Sequence, residues 1–194
     1  MQAPIWTCIG ADSSHLGRPL RIIEIGCWEG RSSCYLLLRL ARHPESRLIC
    51  VDPFDLLHLQ FEANRVAWGN NIRAALRQLS SELPPLSAQM LGSDNDAASP
   101  SRRSQQIGGG KVQLLQESSK SALPWLLSNK PGAESFDLVY VDGSHMCADV
   151  LFDALLAFEL LRPGGVIVFD DYEWDRYRHN PACHPKRAVD GPAA

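Results

Sequence analysis

Short apolar runs alternate with longer segments of helical pattern along most of this 194-residue chain. Five runs have the length and apolar content of buried strands, namely RIIEIG, RLICVD, KVQLLQ, FDLVYVD and VIVFDDYEW. Helical segments lie between them: SSCYLLLRLARH, the region LLHLQFEANRVAWGNNIRAALRQLSSEL in pieces, KSALPWLLSN, and SHMCADVLFDALLAFELL, which RPGG ends. Strands that alternate with helices predict an α/β fold: a doubly wound, mainly parallel sheet of about five strands with helices on both faces.

One internal segment has a different composition from the rest of the chain. Residues 84–110, PPLSAQMLGSDNDAASPSRRSQQIGGG, are rich in Ser, Pro, Gly, Asp and Asn and contain few large apolar side chains. Such a segment cannot bury enough apolar surface to offset the entropy of ordering it. We therefore predict a flexible insertion at 84–110 within a single domain that spans residues 1–194.

Composition and charge exclude several classes of protein. Hydrophobic residues make up 45% and charged residues 21% of the chain, as in ordinary globular domains, and the net charge of −3 disfavours nucleic-acid binding. No window approaches the roughly 18 to 20 apolar residues of a membrane helix, and the N-terminus lacks the pattern of a signal peptide. The six cysteines include no C-x-x-C pair, which predicts reduced, buried thiols and a cytoplasmic protein.

Acidic residues stand at the ends of four of the five predicted strands. These residues are Glu24, Asp52, Asp142, and the pair Asp170 and Asp171. Ligands of open α/β sheets bind beyond the carboxyl ends of the strands. A single such acid could simply cap the turn or helix that follows, but four of them together favour a polar site.

The turn after the first strand narrows the choice of ligand. A dinucleotide fingerprint, G-x-G-x-x-G, would start at Gly26 and fails twice, because Trp28 and Arg31 stand where glycines are needed. This failure opposes a nicotinamide-dependent oxidoreductase. The chain has E-x-G-x-x-x-G instead, with Glu24 two residues before Gly26, and a carboxylate there attracts a cationic ligand rather than pyrophosphate. Glu24 is therefore either a structural cap or a ligand-binding group.

Asp52, at the end of the second strand, suits the paired hydroxyls of a ribose, as acids at that place do in nucleotide-binding folds. Together with the turn, it indicates a nucleoside that carries positive charge.

Four stretches of the sequence resemble class I S-adenosylmethionine-dependent methyltransferases. They are RIIEIGCWEGRSSCYLL, HPESRLICVDPF, FDLVYVDGSHMCADVLFDALLAFELLRPGGVIVFDDYEW and PKRAVD, and they cover roughly residues 20–55 and 111–190. Within that class, the chain is most similar to the macrocin O-methyltransferase-like and cephalosporin hydroxylase-like group. The resemblance implies a Rossmann-like methyltransferase fold and O-methylation of a small hydroxylated metabolite.

The resemblance also implies roles for individual residues. Glu24, Gly26 and Gly30 would line the methionine end of S-adenosylmethionine, and Asp52 would hold its ribose. The backbone near Glu117 and Ser118 would frame the adenine. Three acids fall where catechol-type relatives bind Mg²⁺, which prefers carboxylate oxygens: Asp142, Asp170 and Asp171.

A catalytic base is expected three residues after Asp142. Catechol-type relatives place a lysine at that offset, and this chain has His145, which could take a proton near neutral pH or simply hydrogen-bond in the first helical turn. Tyr172 and Trp174 are expected either to line the acceptor pocket or to pack beside the sheet.

The chain departs from the class at its C-terminus. The class has seven strands. This sequence ends with PKRAVDGPAA at residue 194, which leaves no room after the fifth predicted strand for the last antiparallel hairpin. We therefore expect the fifth strand to be an open edge, covered by another chain in a homo-oligomer or exposed in a truncated or divergent protein. The alternative function is a degenerate methyltransferase fold that binds the cofactor or a partner without turnover.

Overall fold

The computed structural model describes residues 17–54, 59–82, 104–129, 136–174, 176–177 and 179–191. Its strands are β1 (Arg21–Ile25), β2 (Arg47–Val51), β3 (Ser104–Ile107), β4 (Val112–Leu115), β5 (Phe136–Val141) and β6 (Leu161–Phe169). Its helices are α1 (Arg31–Tyr35), α2 (Leu59–Glu82), α3 (Ser119–Asn129), α4 (Cys147–Leu160) and α5 (Pro185–Asp190). A π-helical turn, Leu36–Leu40, extends α1, and a 3₁₀ turn, Pro181–Cys183, precedes α5.

The six strands form one sheet in the order β3-β4-β2-β1-β5-β6. Every pair of neighbours is parallel except β3 and β4, which pair antiparallel. The order reverses direction between β1 and β5, which makes that junction the switch point where open α/β sheets bind ligands. The prediction of a doubly wound, mainly parallel sheet is confirmed.

Each face of the sheet buries its own apolar cluster, because successive side chains of a strand point to opposite faces. Ile22 belongs to the cluster that packs on α1 and α2, and its neighbour Ile23 belongs to the cluster that packs on α3 and α4. Helices on both faces explain why the strands read as continuous apolar runs. None of the described helices is long and apolar enough to cross a membrane.

Three details differ from the sequence prediction. The sheet has six strands rather than about five, because Ser104–Ile107, inside the predicted insertion, pairs with β4 as a hairpin around Gly108–Gly110. The remainder of that insertion, 84–103, lies outside the described residues. The region expected to be helical in pieces forms one continuous helix, α2. The RPGG segment lies within β6, at the irregular pairing with β5, so the strand begins directly where α4 ends.

Candidate functional site

The carboxyl edge of the sheet brings together the acids that end the strands. Backbone hydrogen bonds fix this edge: the amide of Gly26 donates to Val51 O (2.8 Å), and the amide of Asp142 donates to Ile25 O (2.8 Å). The amide of Asp170 donates to Val141 O (2.9 Å) in the same way. The ends of β1, β2, β5 and β6 therefore lie along one edge of the sheet.

Two glycines allow the turn after β1 to pass close to its neighbours. Gly26 has φ +84°, and a Cβ on it would lie 2.0 Å from the carbonyl oxygen of Asp142. Gly30 has φ +85°, and a Cβ there would lie 2.8 Å from Cδ1 of Trp68. Trp28, where the wider class has a middle glycine, adopts φ +47° and leaves 53% of its surface exposed. The turn is thus shaped by contacts with β5 and α2.

Asp52 holds this turn through its carboxylate. One oxygen, Oδ2, accepts the backbone N–H groups of Cys27 (2.8 Å) and Trp28 (3.1 Å), and Oδ1 accepts that of Phe54 (2.8 Å). A carboxylate offers about four lone-pair positions, so three bonds leave capacity for a further hydroxyl donor. Asp52 is only half-buried, and a ligand at this edge can reach it.

Glu24 lies behind the turn rather than at the open edge. Its side chain is fully buried, and Oε2 accepts hydrogen bonds from Ser33 Oγ and from the Cys50 thiol (3.4 Å). Burial raises the pKa of Glu24, although hydrogen bonds from Ser32, Ser33 and Cys50 oppose that rise. Its other oxygen, Oε1, is buried without a hydrogen-bond partner. Glu24 therefore contacts buried protein groups rather than the solvent-exposed edge where a ligand would bind.

Glu117 and Ser118 form the connection between β4 and α3, beside Asp52. The amides of both Asp52 (3.2 Å) and Glu117 (2.8 Å) donate to the carbonyl of Leu115 at the end of β4. Glu117 is half-buried and Ser118 is exposed. The two residues predicted to frame an adenine are thus adjacent to the residue predicted to hold a ribose.

A shallow cleft, partly open to solvent, lies on the other side of the β1 turn, between the ends of β5 and β6. It is lined by the ends of β5 and β6, the loops that follow them, the first turn of α4 and the start of α5: Val141, Asp142, Gly143, Ser144, His145, Val150, Phe169, Asp170, Asp171 and Pro185. Four residues predicted to be catalytic or metal-binding therefore share one cleft.

Burial and charge repulsion perturb Asp142, and burial perturbs the neighbouring Tyr140. The pKa of Asp142 is raised to about 7, first by burial and then by the charges of Asp170, Asp171 and Glu24. Tyr140 donates its hydroxyl to Asp170 Oδ2, and burial together with this bond raises the pKa of the tyrosine. Asp142 can consequently hold a proton near neutral pH.

His145 and Asp171 form a hydrogen-bonded pair in the cleft. His145 Nε2 lies 2.8 Å from Asp171 Oδ2, and both side chains are partly exposed. The imidazole stacks on the indole of Trp174, with ring centroids 4.1 Å apart. Asp171 has φ +50°, an uncommon backbone conformation that turns its side chain towards the histidine. The structure thus fixes the ring of His145 from two sides.

The three predicted magnesium ligands share the cleft but do not converge on one point. Among the described residues, the one group whose potential ligand atoms all lie within 4.8 Å of one another is Glu24, Cys27 and Cys50. Both oxygens of Asp170 and Oδ2 of Asp171 are engaged by protein groups, including the amide of Asp171 on Asp170 Oδ1 (2.9 Å). In this arrangement the acids do not form a magnesium-binding set, and we derive no catalytic step from the metal.

Two features of the cleft were missed or differently interpreted from the sequence. Tyr140 was not singled out, and only its pairing with Glu24 across β1 and β5 places it beside the strand-end acids. Tyr172 does not line the cleft: its hydroxyl donates to Asp190 (2.6 Å) and accepts from Lys186 (2.6 Å), which ties the loop to α5. A tyrosine three residues beyond the strand could not be assigned to either role from periodicity.

Comparison with known proteins agrees with this arrangement. A sequence model of the family described as "Methyltransferase domain" matches residues 23–172. A comparison with curated protein sequences finds no match. Among solved structures, the fold is similar to an O-methyltransferase from Bacillus cereus in complex with SAH, with a TM-score of 0.59, 16% identity, and coverage of 98% of this chain and 68% of that chain.

Two further structures show the same fold. Cofactor-bound Rv0187 from MTB has a TM-score of 0.57 and 16% identity, covering 98% of this chain and 66% of that chain. CalS11, a TDP-rhamnose 3'-O-methyltransferase, has a TM-score of 0.52 and 15% identity, covering 90% of this chain and 62% of that chain. The chain therefore spans about two thirds of the length of these proteins. The match over residues 23–172, on a sheet with this topology, shows that the chain belongs to the methyltransferase-domain family and has the class I S-adenosylmethionine-dependent methyltransferase fold.

Proposed function

We propose that this domain binds S-adenosylmethionine at the carboxyl edge of β1, β2 and β4 and methylates a hydroxyl group of a small molecule in the neighbouring cleft. The observation that carries the proposal is the position of Asp52. Its carboxylate holds the turn after β1 by two N–H groups, lies beside Glu117 and Ser118, and retains capacity for a ribose hydroxyl. The family match supports the same cofactor.

The residues of the edge fit this cofactor in chemical character. A sulfonium carries positive charge, and the carboxylate of Asp52 gives this edge a negative field. The close packing of Gly26 on Asp142 joins the turn to the cleft, so a ligand on the turn lies beside the acceptor site. Gly26 and Gly30 contribute to binding by shaping the turn, and direct contact of Glu24 with the cofactor stays a prediction.

When bound, S-adenosylmethionine supplies an electrophilic methyl group. In our proposal the acceptor hydroxyl would lie in the cleft, where His145 would accept its proton. Because Nε2 of His145 faces Asp171, the neutral ring donates from Nε2 and accepts the hydroxyl proton at Nδ1. Asp171 then stabilises the imidazolium, and Asp142 orients the acceptor by a hydrogen bond. Positioning the two reactants supplies much of the rate enhancement.

Titration calorimetry with S-adenosylhomocysteine tests the cofactor site. Asp52→Ala should weaken binding by about 1.5 to 3 kcal/mol, the range for losing hydrogen bonds to a charged group. Glu29→Gln is the matched control, because it removes one negative charge from an exposed position of the same turn. Equal affinities of the two variants and the parent protein would contradict the assignment of Asp52.

Turnover measurements test the catalytic part separately. We expect methyl transfer to at least one member of a panel of catechols and hydroxylated sugars, and loss of that transfer in His145→Ala with cofactor affinity retained. The Trp174→Phe variant keeps a ring on which His145 can stack and should retain most of the activity. A His145→Ala variant with parental turnover would show that another group accepts the proton.

Magnesium at Asp142, Asp170 and Asp171 stays a prediction that needs its own measurement. If the acids rearrange to bind it, Mg²⁺ should raise the melting temperature of the parent protein. The same ion should leave a variant carrying both Asp142→Asn and Asp171→Asn unchanged. Identical melting curves in Mg²⁺, Ca²⁺ and EDTA would remove the metal from the proposal.

A further inference from the structure

We propose that Glu24, Cys27 and Cys50 bind one zinc ion beneath the turn after β1. Their potential ligand atoms all lie within 4.8 Å of one another, and all three side chains are buried. This position is separate from the cleft that contains His145, and the inference does not depend on the proposed methyl transfer.

The sheet itself brings these residues together. Glu24 in β1 is paired in register with Cys50 in β2, so both side chains lie on the same face of the sheet. Cys27 follows Glu24 by three positions, and the turn directs it back onto this face. The two residues between Glu24 and Cys27 give this pair the same spacing as the two cysteines of the C-x₂-C loops in structural zinc sites.

The distances fit a zinc ion with little adjustment. Zinc binds thiolate sulfur at about 2.3 Å and carboxylate oxygen at about 2.0 to 2.2 Å, which places two tetrahedral ligands roughly 3.5 Å apart. Cys50 Sγ and Glu24 Oε2 are 3.4 Å apart, and Cys27 Sγ lies within 4.8 Å of Cys50 Sγ. Glu24 Oε1 is buried without a partner and can supply the fourth ligand atom by bidentate binding.

An outer shell of hydrogen bonds already orients the carboxylate, as is usual for metal ligands. Ser33 Oγ donates to Glu24 Oε2, and Trp68 Nε1 in turn donates to Ser33 Oγ (3.2 Å). Cys27 is held at its backbone by Asp52 Oδ2. The arrangement has both a set of ligands and the groups that would fix them.

The ligand types select zinc over a hard cation. Two thiols with one carboxylate suit a borderline-soft metal, whereas Mg²⁺ and Ca²⁺ prefer oxygen alone. Burial raises the pKa of both Cys27 and Cys50, so without a metal these thiols stay protonated. Zinc binding forms two Zn–S bonds and bonds to the carboxylate, and it releases the thiol protons to solvent without any change of oxidation state.

Such an ion would cross-link β1, β2 and the turn after β1, which the carboxylate of Asp52 also holds. Its role would be structural, since all its ligand positions come from protein and none faces solvent. This role explains a carboxylate at the end of a buried strand without requiring Glu24 to reach a ligand at the open edge.

Metal analysis of the full chain tests the inference directly. The protein, purified without chelator and dialysed, should contain about one zinc ion per chain by elemental mass spectrometry. Replacement of that zinc by Co²⁺ should give a thiolate-to-metal charge-transfer absorption band. Cys27→Ser and Cys50→Ser should each lower the zinc content several-fold, whereas Cys34→Ser, at a half-buried cysteine outside the group, should leave it unchanged.

Three results would overturn the inference. They are a folded parent protein that remains free of zinc after incubation with the metal, a Co²⁺ form without the thiolate band, and a Cys27–Cys50 disulfide in that parent protein. Because the parent protein alone decides these outcomes, variants that fail to fold do not weaken the test. Titration of the same preparations with S-adenosylhomocysteine would measure cofactor affinity separately, so failure of the zinc proposal can be distinguished from failure of the cofactor proposal.

Discussion

The contact between Gly26 and Asp142 allows one substitution to be predicted quantitatively. In Gly26→Ala, the new methyl group would lie 2.0 Å from the carbonyl oxygen of Asp142 and 2.6 Å from its carbonyl carbon. Real Cβ atoms do not approach backbone so closely, so β1 and β5 must separate at the edge where the turn begins. The residue must also keep φ +84°, a left-handed conformation that disfavours alanine.

These two effects can be estimated separately. The left-handed backbone costs an L-residue about 1 to 2 kcal/mol, and forcing an extra methyl group into a packed position costs about 1 to 3 kcal/mol. We expect Gly26→Ala to lower the free energy of unfolding by the combined amount, about 2 to 5 kcal/mol. Urea denaturation followed by circular dichroism measures this change.

Gly164→Ala isolates the backbone part of the effect. Gly164 has φ +77°, nearly that of Gly26, yet a Cβ on it would meet nothing within 4 Å. Its substitution should therefore cost only the backbone contribution, about 1 to 2 kcal/mol. Gly30→Ala should fall between the two, because its obstacle is the side chain of Trp68, which can shift. Equal losses for Gly26→Ala and Gly164→Ala would refute the argument that the turn packs on β5.

Two further predictions concern pH and proteolysis. Burial raises the pKa of Asp153 to about 6, so the folded state binds more protons than the unfolded state between pH 4 and 6 and loses stability as pH rises through that window. Asp153→Asn should therefore gain stability relative to the parent protein from pH 4 to 6. Lys120 and Ser144 hold the pKa of Asp149 below its usual range, so its contribution to stability is lost only as the pH falls below about 4, and Asp149→Asn should lose stability relative to the parent protein as the pH rises through that lower window. Urea denaturation at each pH measures both variants, and parallel profiles would contradict the assignment. Limited proteolysis should cut first within residues 84–103, and protection of that segment would contradict the predicted flexible insertion.

The alternation of apolar strands and helices in the sequence determined most of the fold. Runs such as FDLVYVD bury both faces of a strand, and this pattern occurs when helices cover a parallel sheet on both sides. Local chemistry also located the acids at the ends of the strands, because a charged residue after an apolar run marks the point where the chain leaves the core. The sequence could not show the hairpin of β3, since SRRSQQIGGG has a polar composition and its pairing with β4 is set by the neighbouring strand.

Only the tertiary structure distinguished the roles of the strand-end acids, because the role of each depends on its burial and on contacts with residues distant in the sequence. Glu24 and Asp52 look alike as strand-end carboxylates, yet register with Cys50 places one inside the protein, and contact with the β1 turn leaves the other half-exposed. Asp171 likewise has a left-handed backbone conformation and contacts His145, and neither feature can be predicted from the periodicity of the sequence. Sequence patterns report which residues leave the core, whereas side-chain contacts between strands decide what each of them can bind.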